Sequence, residues 1–210
     1  MPSATTPSGW RVAATDLAAR DPVLARLHES HGAPTIGPGA AVDDRFAAAC
    51  RAVAYQQLAG RAAAAIWARV VDCVGQPFDP AGVVAAGPDR LRAAGLSNAK
   101  VATLLSLADH TADGSVDWRR IARLDDEAVV AELTQVRGIG PWTAQMFLLF
   151  ELRRVDVWPT GDLGVRTGYA RAFGLDAVPD AGTLQQLGEP WAPYRSVVAW
   201  WCWRELDTPD

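Results

Sequence analysis

Residues 133–150, LTQVRGIGPWTAQMFLLF, set Gly138-Ile139-Gly140-Pro141 between two apolar stretches with helical patterning. Two glycines and a proline end almost any helix. The interruption therefore predicts two helices joined by a very short turn. Strand-like alternation is scarce along the rest of the chain, and half of the residues are apolar. An all-α fold with a sizeable core follows.

The helices announce themselves by their punctuation. Residues 1–9 read as disordered, and WRVAATDLAARDPVLARLHESHG reads as one or two short helices, with Asp16 and Asp21 as candidate caps and Pro22 in a first turn. DDRFAAACRAVAYQQLAGRAAAAIWARVVDCVG reads as two helices whose junction is YQQLAG, where Gly60 can end or turn a helix. Further short helices follow, and Asp125 opens one that leads into the Gly-Ile-Gly turn. Another begins near Asp162, and two more close the chain.

A Gly-x-Gly turn ahead of a helix presents backbone amides with no side chain in the way. Such a site attracts a phosphate oxygen. Glycine permits positive φ and close approach, and proline fits the first helical turn. The plainer reading is an ordinary helical hairpin. The formal net charge of −4 and pI of about 5.4 argue against coating nucleic acid by bulk charge but leave room for a local backbone grip. Binding of that kind is expected to be modest on undamaged DNA and strongly salt-sensitive.

Cys50, Cys73 and Cys202 are far apart and form no CxxC pair, so buried free thiols are expected and no iron–sulfur cluster. No apolar run approaches the length of a membrane span. The N-terminus lacks a signal pattern, and a cytoplasmic location is the default.

LTQVRGIGPWTA resembles the helix-hairpin-helix motif of DNA-repair glycosylases. The match runs through Leu133, Val136, Gly138, Gly140 and Thr143-Ala144. With VDVWPTGDLGVR, AYQQLAG, AGLSNAK and WAPYRS, residues 45 to 206 resemble the alkylpurine branch of that superfamily, the 3-methyladenine DNA glycosylase II type. The resemblance implies two helical subdomains flanking an active-site cleft. One would span 45–154, and the other would join 10–44 to 155–210. The stretch before residue 45 is short for the extra β-lobe of some relatives, so a compact version of the fold is expected.

The resemblance also implies roles. Asp162 would be the catalytic carboxylate; the alternative is that it only caps a helix. Asp156 is the nearby competitor and fits a surface position better. Trp142, Met146, Leu163 and Trp203 would line the base pocket, although tryptophans are more often core. Trp200 and Trp201 read as packing. Met146 stands where some relatives have a tyrosine, which suggests a changed substrate range. Gln57 would enter the gap left by the flipped base, with Leu58 alongside. Gly138, Ile139, Gly140, Thr143 and Lys100 would touch DNA, with Gly95 and Ser97 in a second turn near the backbone. Carbonyls of Thr134, Val136 and Ile139 could hold a sodium or potassium ion. No other cofactor is expected.

Bifunctional relatives resembling endonuclease III carry a Schiff-base lysine where this chain has Trp142, and Lys100 is its only lysine. The implied activity is a monofunctional glycosylase acting on damaged double-stranded DNA as a monomer. Three alternatives stay open: a glycosylase of the same fold for oxidised, deaminated or mismatched bases; a non-catalytic lesion-binding module; and an unrelated helical interaction protein.

Overall fold

A computed structural model describes residues 7–37, 39–58 and 60–207. Among them every regular element is helical, as the sequence predicts. The chain divides into two compact units, one of residues 39–147 and one joining the N-terminal segment through 38 to residues 148–210. The divisions thus fall ahead of the 44/45 and 154/155 boundaries expected from the sequence.

The first unit holds α3 (Arg45–Tyr55), α4 (Gly60–Val74), α5 (Pro80–Ala93), α6 (Asn98–Ala112), α7 (Asp126–Thr134) and α8 (Pro141–Met146). Caps start three of them: Asp79, Ser97 and Asp125 each accept a first-turn amide of the helix that follows. Gly60 opens α4 rather than closing α3. α3 packs on α4, α6 and α8, α5 lies along α6, and α7 pairs with α8. Their buried faces supply Cys50, Val53, Leu91, Leu104, Leu107 and Leu133 to one core, joined by Ile121 from the 3-10 turn between α6 and α7. An aromatic chain extends it, with Trp67–Phe78 at 5.0 Å and Trp118–Phe147 at 5.7 Å between ring centroids.

The second unit holds α1 (Pro7–Arg20), α2 (Pro22–His31), α9 (Leu163–Phe173), α10 (Ala181–Leu187) and α11 (Arg195–Asp207). Residues 7–9, expected to be disordered, form the start of α1; residues 1–6 lie outside the described residues. Asp21 caps α2 by accepting the amides of Val23 and Leu24, whereas Asp16 lies inside α1 and pairs with Arg20. α11 packs against α9, α2 and α1 around fully buried Trp10, Leu17, Leu24, Leu27 and Trp201. α9 and α11 meet backbone to backbone at Gly168, where a Cβ would lie 2.0 Å from the Cys202 carbonyl oxygen. No helix among the described residues is long and apolar enough to cross a membrane.

Candidate active site

Asp162 is the N-cap of α9, half-buried, with extended backbone at φ −78° and ψ 118°. The Val165 amide donates to its Oδ1 at 2.8 Å, and the Trp203 indole Nε1 donates to the same oxygen at 3.1 Å. Capping and a second, non-capping contact therefore coexist. The Trp203 contact needs the close α9–α11 approach at Gly168, and Gly164 leaves space beside both Asp162 Oδ1 and the indole. The Trp203 ring stacks on Phe150 at 5.8 Å and 24°. Phe150 and Leu163 are 37% and 63% exposed, so an apolar, partly aromatic surface adjoins the carboxylate.

The loop leading to Asp162 is pinned from the start of α11. Ser196 Oγ donates to the Arg154 carbonyl and accepts the Val157 amide, both at 2.8 Å. Asp156 accepts two guanidinium bonds from Arg195 at 2.7 Å each, together with the Arg195 amide. Asp156 is thus a structural partner rather than a simple surface residue, and this pairing is what the Arg195-Ser196 pair of WAPYRS does. Trp158 Nε1 reaches the Leu184 carbonyl at 2.8 Å, which fixes the middle of the loop.

In the other unit the Gly-Ile-Gly turn joins α7 to α8. Gly138 has φ +85° and sits so close to α6 that a Cβ would lie 2.1 Å from Thr103 Oγ1; both facts demand glycine. Gly140 differs from expectation: its φ of −94° suits any residue, and a Cβ there would meet nothing within 4 Å. Its smallness matters only toward whatever approaches from outside. Gly140 is the N-cap of α8, and no side chain caps that helix. Leu133, Val136 and Ile139 are buried beneath the turn, and the Ile139 amide donates to the Val136 carbonyl at 3.0 Å. Ser106 Oγ of α6 accepts the Arg137 amide at 3.2 Å.

Trp142 is 41% exposed on the first turn of α8, and Met146, one turn later, is half-buried. Thr143 is buried, and its Oγ1 accepts Gln56 Nε2 at 2.8 Å. The Gln56–Leu58 turn is therefore tied to the hairpin helix through Gln56, while Gln57 and Leu58 are exposed. Gln57 adopts φ +56°. Lys100, expected to touch DNA, donates its ammonium to the carbonyls of Ala54 at 2.9 Å and Gln56 at 2.7 Å instead. Those carbonyls end α3, and Lys100 caps them. Its pKa is lowered by desolvation.

The sequence reading missed Phe150, Gln56 and Ser106. Gln56 lies inside the AYQQLAG segment but was given no role of its own, and Ser106 carries no motif signal, because a long-range contact makes it matter. Trp201 is buried, as expected for packing, and donates to the Gly32 carbonyl at 2.8 Å; Trp200 lies under the Arg204 guanidinium at 5.5 Å. Cys50 and Cys202 are buried and Cys73 is half-buried, and all three are free thiols. Among the described residues no group of three or more His, Cys, Asp or Glu could hold a metal ion.

Residues 50–193 match the model of the HhH-GPD superfamily of base excision DNA repair proteins. The chain is 38% identical over 163 residues to DNA-3-methyladenine glycosylase 1 of Schizosaccharomyces pombe, covering 76% of this chain and 72% of that protein. It superposes on the structure of a 3-methyladenine DNA glycosylase of the same yeast in complex with abasic DNA with a TM-score of 0.82 and 32% identity, covering 92% and 95% of the two chains. A DNA-3-methyladenine glycosidase from Bacillus halodurans gives a TM-score of 0.80 at 29% identity, with 98% and 92% covered. The chain belongs to the HhH-GPD superfamily of base excision DNA repair proteins.

Proposed function

We propose that this protein is a monofunctional DNA glycosylase that hydrolyses the N-glycosidic bond of alkylated purines, of the 3-methyladenine type, in base excision repair. The observation that carries this reading is the Asp162 carboxylate, fixed by the Val165 amide and the Trp203 indole in a chain similar along most of its length to 3-methyladenine glycosylases. Cleavage builds positive charge on the deoxyribose at C1′. A preplaced carboxylate stabilises that charge and orients the attacking water. The water oxygen bonds to C1′, its proton passes to the carboxylate, and the base leaves with the electron pair of the broken C1′–N bond. A base alkylated on a ring nitrogen is already cationic and leaves as a neutral molecule, so the reaction as written needs no cofactor.

The target base must leave the duplex, with Gln57 and Leu58 filling the gap. Trp203 and Phe150, stacked beside Asp162, offer π-faces that favour a cationic base. The hairpin amides take a phosphate. A sodium or potassium ion on the carbonyls of Thr134, Val136 and Ile139 suits the hard oxygen donors there. The Val136 carbonyl accepts one amide and keeps a second lone pair. The ammonium of Lys100 is engaged by two carbonyls, which supports the absence of lyase chemistry. A monomer in the cytoplasm fits this reading.

The test is release of free bases from methylated duplex DNA, with borohydride present in a parallel reaction. Free 3-methyladenine, intact abasic strands and no trapped protein are expected. A borohydride-trapped adduct contradicts the monofunctional reading. Release of only oxidised or deaminated bases moves the substrate class, and binding without release makes the chain a lesion-binding module.

A further inference from the structure

The side chain of Lys100 spans from α6 to the end of α3. The next residues, Gln57 and Leu58, are exposed, and Gln57 stands at φ +56°, a conformation that L side chains rarely adopt unless neighbours hold them there. Two contacts hold this turn at Gln56: Lys100 Nζ donates to its backbone carbonyl at 2.7 Å, and its side-chain Nε2 donates to Thr143 Oγ1 at 2.8 Å. The ammonium also closes the Ala54 carbonyl at 2.9 Å, which supplies one of the acceptors that a helix end leaves without an intrahelical donor. Three side chains of α6 bear on the Gln57 turn and the hairpin. Lys100 holds the Gln57 turn, Thr103 fills the space under Gly138, and Ser106 Oγ accepts the Arg137 amide of the hairpin turn.

Lys100 is the one lysine among 20 Lys and Arg residues. A compact ammonium with three tetrahedral donors can bridge two carbonyls of one helix end, where a planar guanidinium fits less readily. Desolvation lowers its pKa, in keeping with an inward-facing head group.

We propose that Lys100 is a positioning residue that sets the Gln57–Leu58 turn for insertion into the duplex, and that α6 holds this turn in register with the hairpin. This rests on the glycosylase reading, because insertion matters only to an enzyme that extrudes a base. Lys100 would act through the turn and not by binding a phosphate.

The wild-type protein allows a direct test, because a lysine-selective 15N label gives a single side-chain ammonium signal. That signal should be slow to exchange in the free protein and should keep its shift, with no coupling to 31P, when undamaged or abasic duplex DNA is added. A shift with 31P coupling means that Lys100 moves to a phosphate, and overturns the proposal. In parallel, Lys100→Met should leave the slope of log Kd against log salt on undamaged DNA unchanged and lower single-turnover base release by about 10-fold. A 2-aminopurine reporter beside the lesion should lose its opening signal. In a Gln57→Ala/Leu58→Ala background the effect of Lys100→Met on release should vanish, since the turn it positions no longer fills the gap. A salt slope smaller by about one, or a full effect in that background, contradicts the proposal. If the wild type releases no base at all, the glycosylase reading fails, while the ammonium signal still reports where Lys100 is held.

Discussion

At the scale of single residues, the site turns on one oxygen. Asp162 Oδ1 accepts both a capping amide and the Trp203 indole, so the carboxylate is held from its own helix and from α11. Trp203→Phe removes only the second donor and keeps the ring that stacks on Phe150. A hydrogen bond to a charged group is worth about 1.5–3 kcal/mol, so single-turnover base release should fall by about 10-fold or more. Affinity for abasic DNA should stay within about twofold, a range too small to reflect a lost hydrogen bond. Equal losses in rate and in affinity would place Trp203 in binding alone. Asp162 was legible in the sequence because a family pattern surrounds it. Phe150 was not, because PWTAQMFLLF reads as one helix with a continuous apolar face. The π-helical turn at 147–151 inserts an extra residue per turn and brings Phe150 to the surface.

At the scale of elements, the two glycines of the hairpin carry different burdens. Gly138→Ala places a Cβ on Thr103 Oγ1 at a positive φ, and should destabilise the protein by about 2 kcal/mol or more. Gly140→Ala meets open space in a conformation open to any residue, and should leave the urea midpoint nearly unchanged. It should still weaken DNA affinity, because the added methyl would block the close approach that the proposed phosphate grip requires. Urea titrations and binding isotherms of both variants check this. An undiminished affinity for Gly140→Ala would remove the phosphate grip from the account. Helix positions were legible from caps and breakers, such as Asp125 and Asp162, because those signals are local. The α6 supports and the closing of Lys100 on α3 were not. Lys100 lies more than 40 residues from the carbonyls it holds, so sequence spacing is silent about that contact.

At the scale of the molecule, burial raises the pKa of all three thiols: fully buried Cys50 on α3 and Cys202 on α11, and half-buried Cys73 on α4. Burial also pushes Tyr169 up to about 12. These groups hold their protons longer folded than unfolded, so the unfolded chain binds fewer protons above their ordinary values. Stability is therefore fully present below about pH 8.5 and declines as pH rises past it. On the acid side, burial works to raise the Glu205 carboxyl, but hydrogen bonds from His31 and Arg26 outweigh it and hold it below the ordinary value. That contribution is present above the ordinary carboxylate range and is lost as pH falls through it. Urea midpoints measured across pH should thus show a plateau near neutrality with a decline on both sides. A midpoint that climbs steadily above pH 9 contradicts the buried thiols and phenol as the controlling groups.

The most direct test of the account is base release from methylated duplex DNA by the wild type and by Asp162→Asn. The amide keeps an oxygen for the Val165 cap and nearly the same shape, so the variant should fold and bind abasic DNA normally. The account predicts that the wild type frees 3-methyladenine and that the variant's single-turnover rate falls by about 100-fold or more. A variant that releases the base at the wild-type rate would show that Asp162 is a helix cap alone, and that the chemistry lies elsewhere in the molecule.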